Sequence, residues 1–151
     1  MTLEVRRVVD ADEAAWSALY AGYRAFYRLE DDASAVSRTW GWVSQGQHGL
    51  TGLVAILDGA IVGLANLRRF ARPSSATIGL YLDDLFTAPE ARGAGVASGL
   101  LREAASLAAA EGTSVVRWIT AADNAAARRV YDGVATATAW VTYDMKPSAS
   151  G

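Results

Sequence analysis

The chain has 151 residues, is 52% hydrophobic, carries a formal charge of −2 and contains no cysteine. That is one ordinary domain with enough apolar sequence for a core, which sets aside disordered-tail and acidic-coat readings. Near-balanced charge argues against holding nucleic acid by bulk electrostatics, and the missing thiols exclude disulfides, thiolate metal sites and a cysteine nucleophile.

The opening "MTLEVRRVVD" lacks the apolar core of a signal peptide, and Leu3–Val9 within it reads as a first strand. Asp10 and Glu13 fit an acidic capping box opening a helix. Trp16, Leu19, Tyr20, Tyr23, Phe26 and Tyr27 then recur at three- and four-residue steps, one helical stripe. "LEDD" interrupts it, and Val36, Trp40 and Val43 predict a second helix. The only histidine, His48, sits in "SQGQHGL" and reads as a solvated loop residue, so no metal site is expected.

"LTGLVAIL" and "AIVGLANL" flank Asp58-Gly59, a hairpin signal. Thr77–Thr87 predicts a longer strand. Val96, Leu100, Leu101, Ala104, Leu107 and Ala108 predict a helix stopped at Gly112, and "TSVVRWIT" (113–120) a further strand. Asp123 or Asn124 caps another helix, with Ala127, Tyr131 and Val134 on linked faces. "ATATAWVTYDM" alternates like a closing strand, and residues 147–151 read as a flexible tail after a single domain over 1–146. The order is β-α-α-β-β-β-α-β-α-β, an α/β layered fold. No uncharged apolar run approaches the ~20 residues of a membrane span, so a cytoplasmic protein with no membrane partner is expected. Five tryptophans leave apolar surface for a homodimer, with no face singled out.

The stretch "YLDDLFTAPEARGAGVASGLL" (81–101) is the most informative. A strand arrives at two aspartates, meets a proline and passes through a small-residue loop into a helix. As a dinucleotide-binding turn it fails: Ser98 stands at the third glycine of G-x-G-x-x-G, and the next strand ends in threonine where an acid is wanted. Two readings stay open. The loop is a cradle for the diphosphate of an acylated coenzyme A, its amides unobstructed by side chains and aided by the helix N-terminus. Alternatively it is a tight connection that binds nothing.

"ARGAGVA" resembles the R-x-x-G-x-G/A signature of the GNAT superfamily of N-acetyltransferases, at Arg92, Gly95 and Ala97. "DNAAARRVYDGVA" resembles that superfamily's Asn-x-x-Ala…Tyr helix, at Asn124, Ala127 and Tyr131. "YLDDLFT" is similar to the Tyr-Leu-Glu-Asp-Phe-Phe-Val segment of spermidine/spermine acetyltransferases. Several stretches look closest to a branch acting on polyamines, histones or D-amino acids. Thr87 stands where valine is usual, and Asp83 is one methylene shorter than the family glutamate.

The resemblance implies a mixed, mostly antiparallel central sheet flanked by helices. It also implies transfer from acetyl-CoA to a primary amine of a small molecule, polyamine or amino-acid-like. A protein lysine acetyltransferase and a non-catalytic coenzyme-binding module are the alternatives. The coenzyme would meet main-chain groups of Leu85, Phe86 and Thr87, the loop Arg92, Gly93, Ala94, Gly95, Val96, Ala97 and Ser98, and Asn124. Tyr131 would protonate the leaving thiolate, and Asp83 would accept the amine's proton directly or through water. Strict alternation puts Asp83 on one strand face with Tyr81, Leu85 and Thr87, and leaves Asp84 opposite in a structural hydrogen bond. Tyr27, Glu30 and Asp31 would border the amine.

Overall fold

Five strands line up in chain order, β1 (Leu3–Arg7), β2 (Leu50–Leu57), β3 (Ala60–Arg72), β4 (Thr77–Thr87) and β5 (Val116–Arg117), in a computed structural model that describes residues 2–149. Neighbours are antiparallel except β4 and β5, which are parallel. The β2–β3 hairpin closes on Asp58 and Gly59, both at positive φ (50° and 84°), the combination a two-residue turn of matching twist requires.

One sheet face is covered by α1 (Glu13–Phe26) and α2 (Ala33–Gln45), the other by α3 (Val96–Glu111). The first layer buries the predicted aromatic stripe. Trp16 stacks on Tyr20 at 4.8 Å and meets Trp40 at 5.3 Å, over Val54, Leu64 and Phe86 of the sheet. On the second, Val96, Leu100, Leu101 and Ala104 are buried. Gly63 lets α3 come close, because a Cβ there would lie 2.5 Å from Val96 Cγ1.

Several expectations are corrected in detail. The carboxylate that closes the turn before α1 is Asp12, not Asp10: it accepts from the Val9 amide at 2.8 Å and from two Arg6 nitrogens. The strand expected over 113–120 narrows to Val116–Arg117.

Contacts divide the chain into two compact units, the first ending at Ile119 and the second beginning at Thr120. The second holds α4 (Ala125–Asp132), capped by Asn124, whose Oδ1 accepts from the Ala127 amide. The predicted closing strand does not form. Residues 134–149 carry no strand, and Trp140, Val141, Tyr143 and Met145 are exposed. Alternation supplies only a face, and a strand also needs a neighbour to take its backbone hydrogen bonds; the described residues of this unit contain no other strand.

Two glycine substitutions test the packing. Gly63→Ala is expected to cost ~1–3 kcal/mol in urea unfolding, because the new methyl overpacks the α3 contact. Gly41→Ala, in α2 with nothing within 4 Å of its added Cβ, is expected to gain up to ~1 kcal/mol.

Candidate active site

The loop after β4 begins with a turn, Pro89–Ala91, and reaches α3 through Gly93 (φ 84°) and Gly95 (φ 80°). Both glycines sit in left-handed geometry that a side chain strains by roughly 1–2 kcal/mol. The Ala94 amide donates back to Ala91 O and that of Gly99 to Gly95 O. The amides of Gly93, Gly95, Val96, Ala97 and Ser98 donate to no backbone carbonyl among the described residues. Four consecutive donors at the start of a 16-residue helix, with the helix dipole behind them, form an anion site in chemical character. Ala94, placed in the cradle by sequence, contributes no free amide. Arg92 extends its guanidinium over the Phe26 ring at 5.5 Å, beside a groove of about 600 Å3 along α1.

β4 has β3 along one edge for its whole length, but β5 pairs only with Leu80 and Tyr81. From Leu82 to Thr87 the other edge has no strand partner among the described residues. The ladder with β3 also slips: Asn66 faces Asp84 while Leu67 faces Leu82, so Asp83 is an extra residue on β4. This bulge overturns the strict alternation expected from sequence. Asp84 shares a face with Asn66, and Tyr81 with Arg68, which stand two apart on β3. Asp83, two residues from Tyr81 and bonded to Arg68, joins them. Both carboxylates therefore lie on the α1 side, whereas Leu85 and Thr87 turn to the α3 side.

Asp84 makes the structural hydrogen bonds expected of it. Its Oδ2 accepts from Tyr20 Oη at 3.0 Å and from Asn66 Nδ2 at 2.9 Å. Burial pushes the Tyr20 and Tyr23 hydroxyls well above the ordinary tyrosine range, and the Asp84 charge adds to this, so both remain donors. Arg68 Nε donates to both oxygens of Asp83, at 2.9 and 3.1 Å, and the Arg68 guanidinium lies 4.5 Å from the Tyr81 ring centre. Asp83, with 31% of its side chain exposed, is raised from the ordinary carboxyl range by partial burial; Arg68 opposes this and the Asp84 charge reinforces it.

Phe86 pairs with Leu64 in the β3–β4 ladder and buries its ring against α1, 5.9 Å from Tyr23. Tyr27 ends α1, half exposed, and stands 4.9 Å from Tyr23. Glu30 and Asp31 are exposed in the α1–α2 connection. Asn124 and Tyr131 lie in the second unit, at the cap of α4 and near its end.

An acetyltransferase (GNAT) family model matches residues 16–133. The chain belongs to that family. No curated protein matches it in sequence. Among solved structures, a probable acetyltransferase superposes with a TM-score of 0.86 at 20% identity, covering 97% of this chain and 99% of the other. A ribosomal-protein-alanine N-acetyltransferase from Brucella melitensis biovar Abortus 2308 gives 0.81 at 19%, covering 97% and 100%. AAC(6')-Iy bound to a CoA-containing bisubstrate analogue gives 0.85 at 18%, covering 98% and 100%. At these identities the likeness is one of fold: this GNAT chain has the mixed, mostly antiparallel sheet with flanking helices.

Sequence reading missed Tyr20, Asn66 and Arg68. Asn66 was legible as a polar residue inside the apolar run of β3, and Arg68 as its same-face neighbour two residues on. Their partners follow only from the bulge.

Because the Asp83 carboxyl is raised in the folded state, its contribution to stability is complete below the ordinary carboxyl range. It is lost as pH rises through the folded value. In Arg68→Met the opposing charge is gone, so the Asp83 midpoint in carbon-detected NMR titration should move further up, and Arg68→Lys should restore part of the shift. An unmoved midpoint in Arg68→Met would show that Arg68 does not hold Asp83 ionised.

Proposed function

We propose that this chain transfers an acetyl group from acetyl-CoA directly to a primary amine of a small molecule, with both substrates bound together. The observation that carries this is the junction of an unpaired β4 edge with a helix start whose amides lack backbone acceptors. The amides of Gly93 and Gly95–Ser98 hold the diphosphate, and main-chain groups of Leu85 and Thr87 on the open edge hold the pantetheine arm. When bound, acetyl-CoA supplies an activated thioester. The absence of cysteine from the sequence leaves no thiol to carry the acyl group, which favours direct transfer.

An alkylamine with pKa near ~10.4 is neutral in only about one molecule in a few thousand at pH 7, so a base is needed. Asp83, kept ionised by Arg68, takes that proton directly or through one water. Asp84, with Tyr20 and Asn66 on it, fixes the local charge, and Tyr23 and Tyr27 offer ring surface to an ammonium group. Glu30 and Asp31 border the entry. Asn124 contacts the coenzyme, and Tyr131 gives its proton to the departing thiolate; a phenol at ~10 is protonated at neutral pH and suits that task. Two structural neighbours, an aminoglycoside acetyltransferase and a ribosomal-protein-alanine N-acetyltransferase, support amines as the acceptor class.

An acetyl-CoA-dependent thiol-release assay over a panel of amines and basic peptides tests this reading. Small amines should give turnover and peptides should not. Tyr131→Phe is expected to lower kcat roughly 10²-fold with little change in KM. Gly95→Ala should raise KM for acetyl-CoA about tenfold, the equivalent of ~1.4 kcal/mol of backbone strain in the loop. Unchanged turnover in Tyr131→Phe across pH would remove that residue from the mechanism.

A further inference from the structure

Beyond the carboxylates, the α1-side face of the sheet continues along β3, β4 and β5 as a run of cations and rings. Arg68, Tyr81 and Arg117 occupy one row across the three strands, because Tyr81 pairs with Arg68 on one side and Arg117 on the other. Phe70 stands edge-on to Tyr81 with ring centres 6.1 Å apart, and the Arg117 guanidinium lies 5.5 Å from the Phe70 ring centre. Arg68 spends Nε on Asp83, so its terminal nitrogens are not used on that carboxylate. Arg117 is exposed and makes no ion pair among the described residues. Two guanidiniums thus lie over aromatic rings, next to the residue proposed as base.

This arrangement opposes a polycation. An acceptor with a second ammonium group would have to bring it toward Arg68 and Arg117. A carboxylate at the same distance from the reacting amine meets two donors suited to bidentate hydrogen bonding. Asp83 lies two residues along β4 from the row and one strand from Arg117, a diagonal of roughly 8 Å between backbones. Flexible arginine side chains bring that within reach of an amino acid whose amine and carboxylate are separated by a short aliphatic chain.

We infer that the acceptor is a carboxylate-bearing primary amine, its amine presented to Asp83 and its carboxylate held by Arg117 together with the terminal nitrogens of Arg68. This rests on the acetyl-transfer reading above and narrows its substrate class. Polyamines are discriminated against by the same charges.

Lysine and cadaverine, which differ only by the carboxylate, make the test. In the wild-type protein lysine should show a KM at least about tenfold lower, the scale of charged hydrogen bonds. Arg117→Gln should raise KM for lysine about tenfold and lower it for cadaverine, because a repelling charge has gone. A merely structural defect would raise both. Equal KM values in the wild type, or a parallel rise in the variant, would overturn the inference and leave acetyl transfer standing. Titration calorimetry of both amines without acetyl-CoA separates the reverse case. Tighter lysine binding, lost in Arg117→Gln and unaccompanied by turnover of any amine, would keep the carboxylate-amine site and remove the acetyl-transfer reading.

Discussion

Backbone groups need partners, and β4 is built so that some of its own go without. Leu80 and Tyr81 are paired on both sides, and residues 82–87 only toward β3 among the described residues, since β5 ends after Arg117. At its end the chain turns through two left-handed glycines into α3, whose first amides also lack backbone acceptors. An unpaired strand edge and an unpaired helix start would each cost stability if they were sealed from solvent. Placed in succession at an open margin, they form a continuous line of donors and acceptors. A ligand with an amide-rich arm and a diphosphate can use the whole line.

The bulge at Asp83 acts on the same strand by a separate route. One additional residue between Leu82 and Asp84 turns two neighbouring carboxylates to one face and sends Leu85 and Thr87 to the other. The two carboxylates and the side chains of Leu85 and Thr87 are thereby sorted onto opposite sides of β4. The carboxylates are then treated differently. Asp84 is anchored by Tyr20 and Asn66 from α1 and β3, while Asp83 is balanced between partial burial and a half-solvated Arg68. A base needs that second kind of environment, because a carboxylate fully committed to neutral donors has no direction left for a new proton.

Much of this was legible in the letters wherever local chemistry decides the outcome. Asp58-Gly59 forces its turn, Gly112 ends α3, and the Trp16–Tyr20–Tyr23 stripe and Val36–Trp40–Val43 both face the core as their spacing implies. The glycine loop also bears the geometry its composition suggested, apart from Ala94. What was not legible depends on pairing between distant segments. Strict alternation kept Asp83 with Tyr81 but wrongly added Leu85 and Thr87 to their face and excluded Asp84, because a bulge is set by the register of β3 against β4, not by β4 alone. The closing "ATATAWVTYDM" has a strand's pattern without a neighbour in its unit to complete a ladder. Arg68 and Arg117 look like ordinary surface arginines until the register places Tyr81 between them.

The most direct measurement is amide-resolved NMR of the protein titrated with coenzyme A and, separately, with pantetheine, which lacks the diphosphate. If the loop holds the diphosphate, the resonances of Gly93, Gly95, Val96, Ala97 and Ser98 shift strongly with coenzyme A and hardly at all with pantetheine, while residues 82–87 respond to both. Shifts of equal size in the loop with either compound, or none there with coenzyme A, would contradict it.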